Sequence, residues 1–325
     1  MCALFGWLDY KGIVPNTILK KLTQALANSA EERGTDAAGI SYICDGKVDI
    51  YKRPKPARKL RFNVPVGTKS VMGHTRLTTQ GNQKFNFNNH PFLGHADKDF
   101  AFAHNGVLLN DDELRKCKKL PKTQIETDSY VAVQLLESQD KLNFDSLQYM
   151  AETVQGNFTF TVLDVENSLY IVKGSNPMCL LHFEELGLYI YASTESIMKN
   201  ALHKVGLTKI FCEKIEVVEG DILHIDKNGK ITRSQFEPKL YRPKYMSWYG
   251  DDEPYYDVHE ELLLAYCGCY GVDSSDVELL LEYGYTCDEI EDMLADHNLL
   301  HETLQAIKFE DDESLYENCC YGEAL

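Results

Sequence analysis

No stretch of this 325-residue chain approaches the roughly 18 consecutive apolar residues that a membrane-spanning helix needs. Its N-terminus also lacks a basic segment followed by an apolar run and a cleavage site. These absences predict a cytoplasmic chain with no membrane partner. Cysteine occurs ten times, but without the spacing of a disulfide framework, and a chain of this size needs no staples. Neither Cys267-Gly-Cys269 nor Cys319-Cys320 has a second Cys/His pair at finger-like spacing, so no metal is expected. Also missing are a Gly-x-x-x-x-Gly-Lys-Ser/Thr loop and a Ser-Gly-Gly-x-Asp pattern for gripping pyrophosphate, and no cofactor is expected. Basic residues are nearly absent from one region. Between Asp251 and Leu325 stand 22 Asp or Glu and a single Lys308, a balance of −21, whereas residues 1–250 hold 28 acidic and 32 basic residues, or +4. An acidic tail of this kind repels phosphate backbones and anionic lipid, which argues against nucleic acid as a partner.

What is present is an ordinary globular composition, 44% hydrophobic and 11% aromatic. CALFGWL, GISYIC, KSVMGHT, FAFAHNGVL, FTFTVLDV, LYIVKG, LYIYAS and DILHID read as strands, short and bounded by Gly, Asp or Asn. Asn16–Glu31 and Thr127–Gln139 keep a helical period. Many strands and few helices over residues 1–235 predict a layered α+β domain with two packed sheets. Residues 236–257, rich in proline and tyrosine, read as a linker. Residues 258–325 hold short helical patterns at His259–Tyr266, Ser274–Tyr283, Thr286–Ala295 and Leu299–Phe309 and predict a small acidic helical bundle. There Ser274, Ser275 and Thr286 are the expected N-caps. The run Lys52–Arg61 (KRPKPARKLR) reads as a solvated basic loop.

The residue behind the initiator methionine is a cysteine. If Met1 is trimmed, Cys2 carries both a thiol and a free α-amine whose unperturbed pKa is near 8, so one residue supplies nucleophile and base. Such a centre needs an anion clamp, oxyanion donors and a carboxylate for a substrate ammonium. GHTRLTTQG at 73–81 places Arg76, able to bind a carboxylate through two parallel bonds, beside the hydroxyls of Thr78 and Thr79 and the amide of Gln80. His104-Asn105-Gly106 offers an amide and a following backbone N–H for an oxyanion. Asp128, in Glu126-Thr127-Asp128-Ser129, opens a helix and could take an ammonium group. Each piece taken singly also fits a plainer role: Arg76 as a surface arginine, Asn105-Gly106 as a hairpin turn, Asp128 as a helix cap.

Taken together and in order, these stretches resemble the glutaminase domain of class II (N-terminal nucleophile) glutamine amidotransferases, the group that includes amidophosphoribosyltransferase, the aminosugar-phosphate synthase and asparagine synthetase. The resemblance is carried by Cys2-Ala3-Leu4-Phe5-Gly6, Arg33-Gly34-Thr35-Asp36, GHTRLTTQG at 73–81, Asn88-Asn89-His90-Pro91, HNGVL at 104–108 and ETDS at 126–129. It implies a four-layer αββα fold over about the first 225 residues. It further implies that Cys2 attacks the side-chain amide of L-glutamine and that Asn105 and Gly106 hold the oxyanion. Arg76, with Thr79 and Gln80, would bind the α-carboxylate, Asp128 would bind the α-ammonium, and Arg33 would support the nucleophile from behind. Ala3, Leu77 and Gln80 depart from the commonest residues of the group, and Gln80 keeps a hydrogen-bonding side chain where the aminosugar branch has histidine.

In those relatives the ammonia passes to a fused synthase. Here about 90 residues remain, too few for a phosphosugar isomerase, a phosphoribosyltransferase or an ATP pyrophosphatase domain. Two expectations follow: a glutaminase serving a separately encoded acceptor synthase, or a non-catalytic glutamine-sensing or interaction module with the acidic tail as docking element. The oligomeric state is not legible.

Overall fold

A computed structural model describes residues 2–238, 263, 267, 272–294 and 299–308. The chain divides into two compact units, Met1–Arg242 and Pro243–Leu325.

The first unit contains two antiparallel sheets. One runs β11 (Glu213–Ile215), β9 (Cys179–Phe183), β10 (Leu188–Ala192), β1 (Ala3–Asp9), β4 (Ser70–Arg76), β2 (Ala37–Cys44) and β3 (Lys47–Arg53). The other runs β13 (Ile231–Gln235), β12 (Asp221–Ile225), β8 (Leu169–Lys173), β7 (Gly156–Asp164), β6 (Asp99–Leu108) and β5 (Phe92–His95). The period-two alternation of side chains along β1 explains why the sheets are covered on both faces. Ala3, Phe5 and Trp7 pack with Leu19, Leu22 and Leu26 of helix α1 (Asn16–Ser29) and with Ile197, Met198 and Ala201. Leu4 and Leu8 pack instead with Ala101, Ala103, Leu163 and Ile171 of the second sheet. On that sheet's outer face Phe100, Phe102 and Phe160 meet Val131, Leu135 and Leu147. The layers are therefore helix, sheet, sheet, helix. A buried bond from Trp7 Nε1 to Thr23 Oγ1 (2.8 Å) pins β1 to α1.

All eight strands read from the sequence are present. Five more were not legible: β3, β5, β9, β11 and β13. Helix α3 (Ser129–Glu137) falls where a helix was read, whereas α2 (Asp111–Cys117), α4 (Phe144–Thr153) and α5 (Glu195–Val205) were not expected. Helix α4 is fixed by its start. Asn143 Oδ1 accepts from Ser146 N–H at 2.9 Å, and Ser146 Oγ accepts from Asn143 N–H at 3.0 Å. Replacing Asn143 by alanine is expected to lower stability by about 1 kcal/mol, seen as a melting temperature lower by a few degrees, with any glutamine turnover unchanged.

In the second unit, helices Ser274–Glu282 and Cys287–Leu294 and helical residues 299–308 share an apolar cluster that includes Val277, Leu280, Ile290, Leu294, Leu300 and Leu304. The first of these helices is capped by Asp273, whose carboxylate accepts from Ser275 N–H (3.1 Å), and not by Ser274 or Ser275. Asp273 is one residue earlier and its charge makes it the stronger acceptor. Thr286 does cap the second, in reciprocal bonds with Glu289. Of the linker read at 236–257, Phe236 is buried among the apolar residues of the first unit, and 239–257 lie outside the described residues. Most of the helix read at His259–Tyr266 lies outside them too.

Candidate active site

Strand register assembles one end of the inter-sheet layer. β1 pairs with β4 so that Ala3 opposes Thr75 and Leu4 opposes His74, which brings Cys2 level with Arg76. Across the layer, His74 Nε2 donates to the carbonyl of His104 on β6 at 2.9 Å, setting Asn105 and Gly106 one and two residues beyond that tie. Arg33 Nε donates to the Cys2 carbonyl at 3.1 Å, and Cys2 Sγ lies 3.5 Å from the Leu77 carbonyl. Cys2 is only 8% exposed.

Arg76 is buried and not a surface residue. Its Nη1 donates to Asn89 Oδ1 (2.7 Å), and its Nη2 donates to the carbonyls of Gln80 (2.5 Å) and Gly81 (3.3 Å). The guanidinium thus holds in place the loop that follows β4. Asp128 stands at the start of α3, yet its carboxylate makes no capping bond to that helix. Oδ2 instead accepts from Leu108 N–H (2.7 Å) and Oδ1 from Ser129 Oγ (3.3 Å). Gln80 spans the same ground: Nε2 donates to Asp111 Oδ2 and Oε1 accepts from Asp128 N–H, each at 3.1 Å. Thr79 is exposed.

Asn105 and Gly106 lie inside the ten-residue strand β6, not in a turn. Gly106 has φ of 137°, and a Cβ built there would come 1.9 Å from the Asn157 carbonyl, so only glycine fits. The backbone carbonyl of Asn105 accepts from Asn176 Nδ2 at 2.7 Å. Its side chain is fully buried, and among the described residues neither Oδ1 nor Nδ2 has a hydrogen-bond partner. Buried amides are nearly always paired, so one left open marks a place where a donor and an acceptor are held ready.

Burial pushes the Cys2 thiol above its ordinary pKa, with the charge of Arg76 pulling the other way. Burial also lowers His74 to about 3 and depresses His90 and His104. The three histidines are therefore neutral near pH 7, and the charges that act on Cys2 are the amino terminus first and then Arg76 and Asp128. Two residues gain importance that their motifs alone did not reveal. Asn89 is the acceptor that holds Arg76, and Asn176 fixes the backbone of Asn105. Asn176 lies in Gly174-Ser175-Asn176-Pro177, a weaker echo of the family resemblance to which no role was assigned.

A family model described as a glutamine amidotransferase domain matches residues 74–199. Over that stretch, which is under half of the chain, the protein is similar to glutamine amidotransferase domains. Among curated proteins the domain is similar to the glutamine–fructose-6-phosphate aminotransferases of Staphylococcus aureus and Chlamydia trachomatis. The first is 30% identical over 194 residues and the second 32% over 191. In both cases the match takes in 55% of this chain and 30% of the relative, so the chain spans under a third of those proteins. The amidotransferase fold is also similar to that of the glutamine phosphoribosylpyrophosphate amidotransferase of B. subtilis, with a TM-score of 0.57 and 21% identity over 74% of this chain and 50% of that one. Among the described residues no helix is long and apolar enough to cross a membrane.

Proposed function

We propose that this chain hydrolyses the side-chain amide of L-glutamine, with Cys2 as an N-terminal nucleophile once Met1 is removed. The observation that carries the proposal is the buried, unpaired Asn105 carboxamide, on the strand tied across the sheets to the strand that bears Arg76. A module that only scaffolds has no use for an open amide in its core, where it costs roughly 1–3 kcal/mol, and a module that only senses glutamine is set apart by turnover.

In the proposed reaction, the Cys2 α-amine takes the thiol proton and sulfur attacks the amide carbon. Negative charge gathers on the former carbonyl oxygen, which Asn105 Nδ2 and Gly106 N–H receive. The carbon–nitrogen bond then breaks as the α-ammonium returns its proton to the leaving nitrogen, giving ammonia and a glutamyl thioester. Water, deprotonated by the same amine, adds to the thioester and releases glutamate. Arg76 and Asp128 bind the substrate carboxylate and ammonium. Asparagine, one methylene shorter, is held at both ends with its amide out of place, and a misplacement of about an ångström costs roughly a hundredfold in rate. The ammonia serves an acceptor synthase that is a separate protein, and the C-terminal unit is the docking element.

The test is an intact-mass measurement coupled to an assay of ammonia and glutamate. Chain lacking Met1 should release the two products one to one from glutamine, and chain retaining Met1 should release neither. Equal turnover by both forms rules out the α-amine as the base.

A further inference from the structure

We propose that Lys52 is a positioning residue for glutamine binding, acting through Asn89 on Arg76. The inference rests on the reading of Arg76 as the carboxylate clamp. Lys52 belongs to a run of basic residues that the sequence presents as a solvated loop, and the structure divides that run. Arg53, Lys55, Arg58, Lys59 and Arg61 are exposed, while Lys52, on β3, turns its half-buried ammonium onto the segment that leads into β5. Its Nζ donates to the carbonyls of Asn89 and Pro91, the second at 2.9 Å, and stands 4.9 Å from the centre of the Phe92 ring. The Lys52 carbonyl accepts from Asn86 Nδ2 at 3.0 Å, so one residue holds the segment at two points.

The strap fits because β2 makes room for it. Gly39, paired with Lys52, has no side chain where the chain at 90–91 crosses; a Cβ there would stand 2.4 Å from the His90 carbonyl. Between the two carbonyls that Lys52 grips lies His90, packed at a tilt between the rings of His74 and Phe92, with centres 4.2 and 4.3 Å away. Both nitrogens of the buried His90 ring lack a partner among the described residues, so it adds packing to this segment but no polar anchor. The ammonium of Lys52 supplies that anchor. Asn89 then presents Oδ1 to Arg76 Nη1, which completes a chain of contacts from Lys52 to the clamp.

Burial, reinforced by the charge of Arg76, lowers Lys52 to about 8. The titratable groups that face it are Arg76, His74 and His90, and the histidines are neutral across the working range. A lysine with a lowered pKa holds a charge-assisted grip below that value, and as pH rises through it the neutral amine keeps two N–H donors but a weaker hold. The strap should therefore loosen near pH 8 and glutamine affinity fall, an effect read in KM, while kcat follows the titration of the Cys2 α-amine.

The experiment compares full-length, Met1-free wild type with Lys52→Met and Lys52→Arg in steady-state glutamine hydrolysis between pH 6.5 and 9.5. Lys52→Met should raise KM at pH 7 by about tenfold or more with kcat within about twofold. Lys52→Arg keeps a charged donor at every pH; it should restore KM at pH 7 and move the alkaline rise in KM to higher pH. An unchanged KM in Lys52→Met, or equal losses in kcat and kcat/KM, overturns the inference. So does an alkaline rise that stays at the same pH in Lys52→Arg, a comparison that decides the matter even where the methionine variant does not fold. Wild type that neither turns over nor binds glutamine overturns the underlying reading of the site, which is a distinguishable failure.

Discussion

Cys2→Ala is expected to remove glutamine turnover, on the order of 10⁴-fold or more, while leaving glutamine binding intact. Both halves of this prediction follow from where the thiol sits. Burial raises its pKa, so at pH 7 it is almost entirely protonated and a nearby base must take its proton at the moment of attack. An alanine with a free α-amine keeps that base and loses only the sulfur. Arg76 and Asp128 belong to β4 and to the start of α3, and their bonds to Asn89, Gln80, Leu108 and Ser129 involve no atom of Cys2. The clamps should therefore survive the substitution. Calorimetry on the variant should show one glutamine bound per chain with an affinity close to that of wild type. Residual turnover above about a thousandth of wild type would mean that another group attacks the amide.

The sequence shows the strands that are buried on both faces far better than the edges. β1, β6, β7, β8 and β10 are buried along nearly their whole length and rich in apolar residues because each is covered by helices on one side and by the other sheet on the other. The strands that escaped notice are mostly at margins: β3, β11, β13 and β5 end their sheets, and β3 and β11 carry exposed charged residues that break the apolar pattern. Helix α5 escaped although both of its ends are written in the sequence. Thr194 Oγ1 accepts from Ile197 N–H at 3.2 Å, and Gly206 closes the helix with φ of 75°. Ile197, Met198, Ala201 and Leu202 also recur at helical spacing, so this helix was legible both in its caps and in its period. A different limit holds at the site. Residues that would touch substrate stand in short motifs at strand ends. The groups that aim them, Asn89, Asn176 and Lys52, act on residues 13, 71 and 37 positions away in the chain, a separation that no local pattern records.

Asn105→Ala is expected to separate catalysis from folding in the opposite sense to most core substitutions. Removing one oxyanion donor typically costs about 10²–10³ in kcat, and because the charge it stabilises exists only in the transition state, KM for glutamine should hardly move. Stability should not fall. The wild-type amide is fully buried with both polar atoms unpaired, so the folded state already bears the cost of its desolvation. Alanine discards that cost and leaves a small void in exchange, two effects of about 1–3 kcal/mol each that oppose one another. The melting temperature should accordingly stay level or rise. The backbone bond from Asn176 remains in the variant, since it is made to the main-chain carbonyl, so the strand and Gly106 keep their positions. A kcat near wild type would remove Asn105 from the mechanism. A marked loss of stability with kcat retained would show that the amide is a structural hydrogen-bonding group, and the open donor would then have no catalytic meaning.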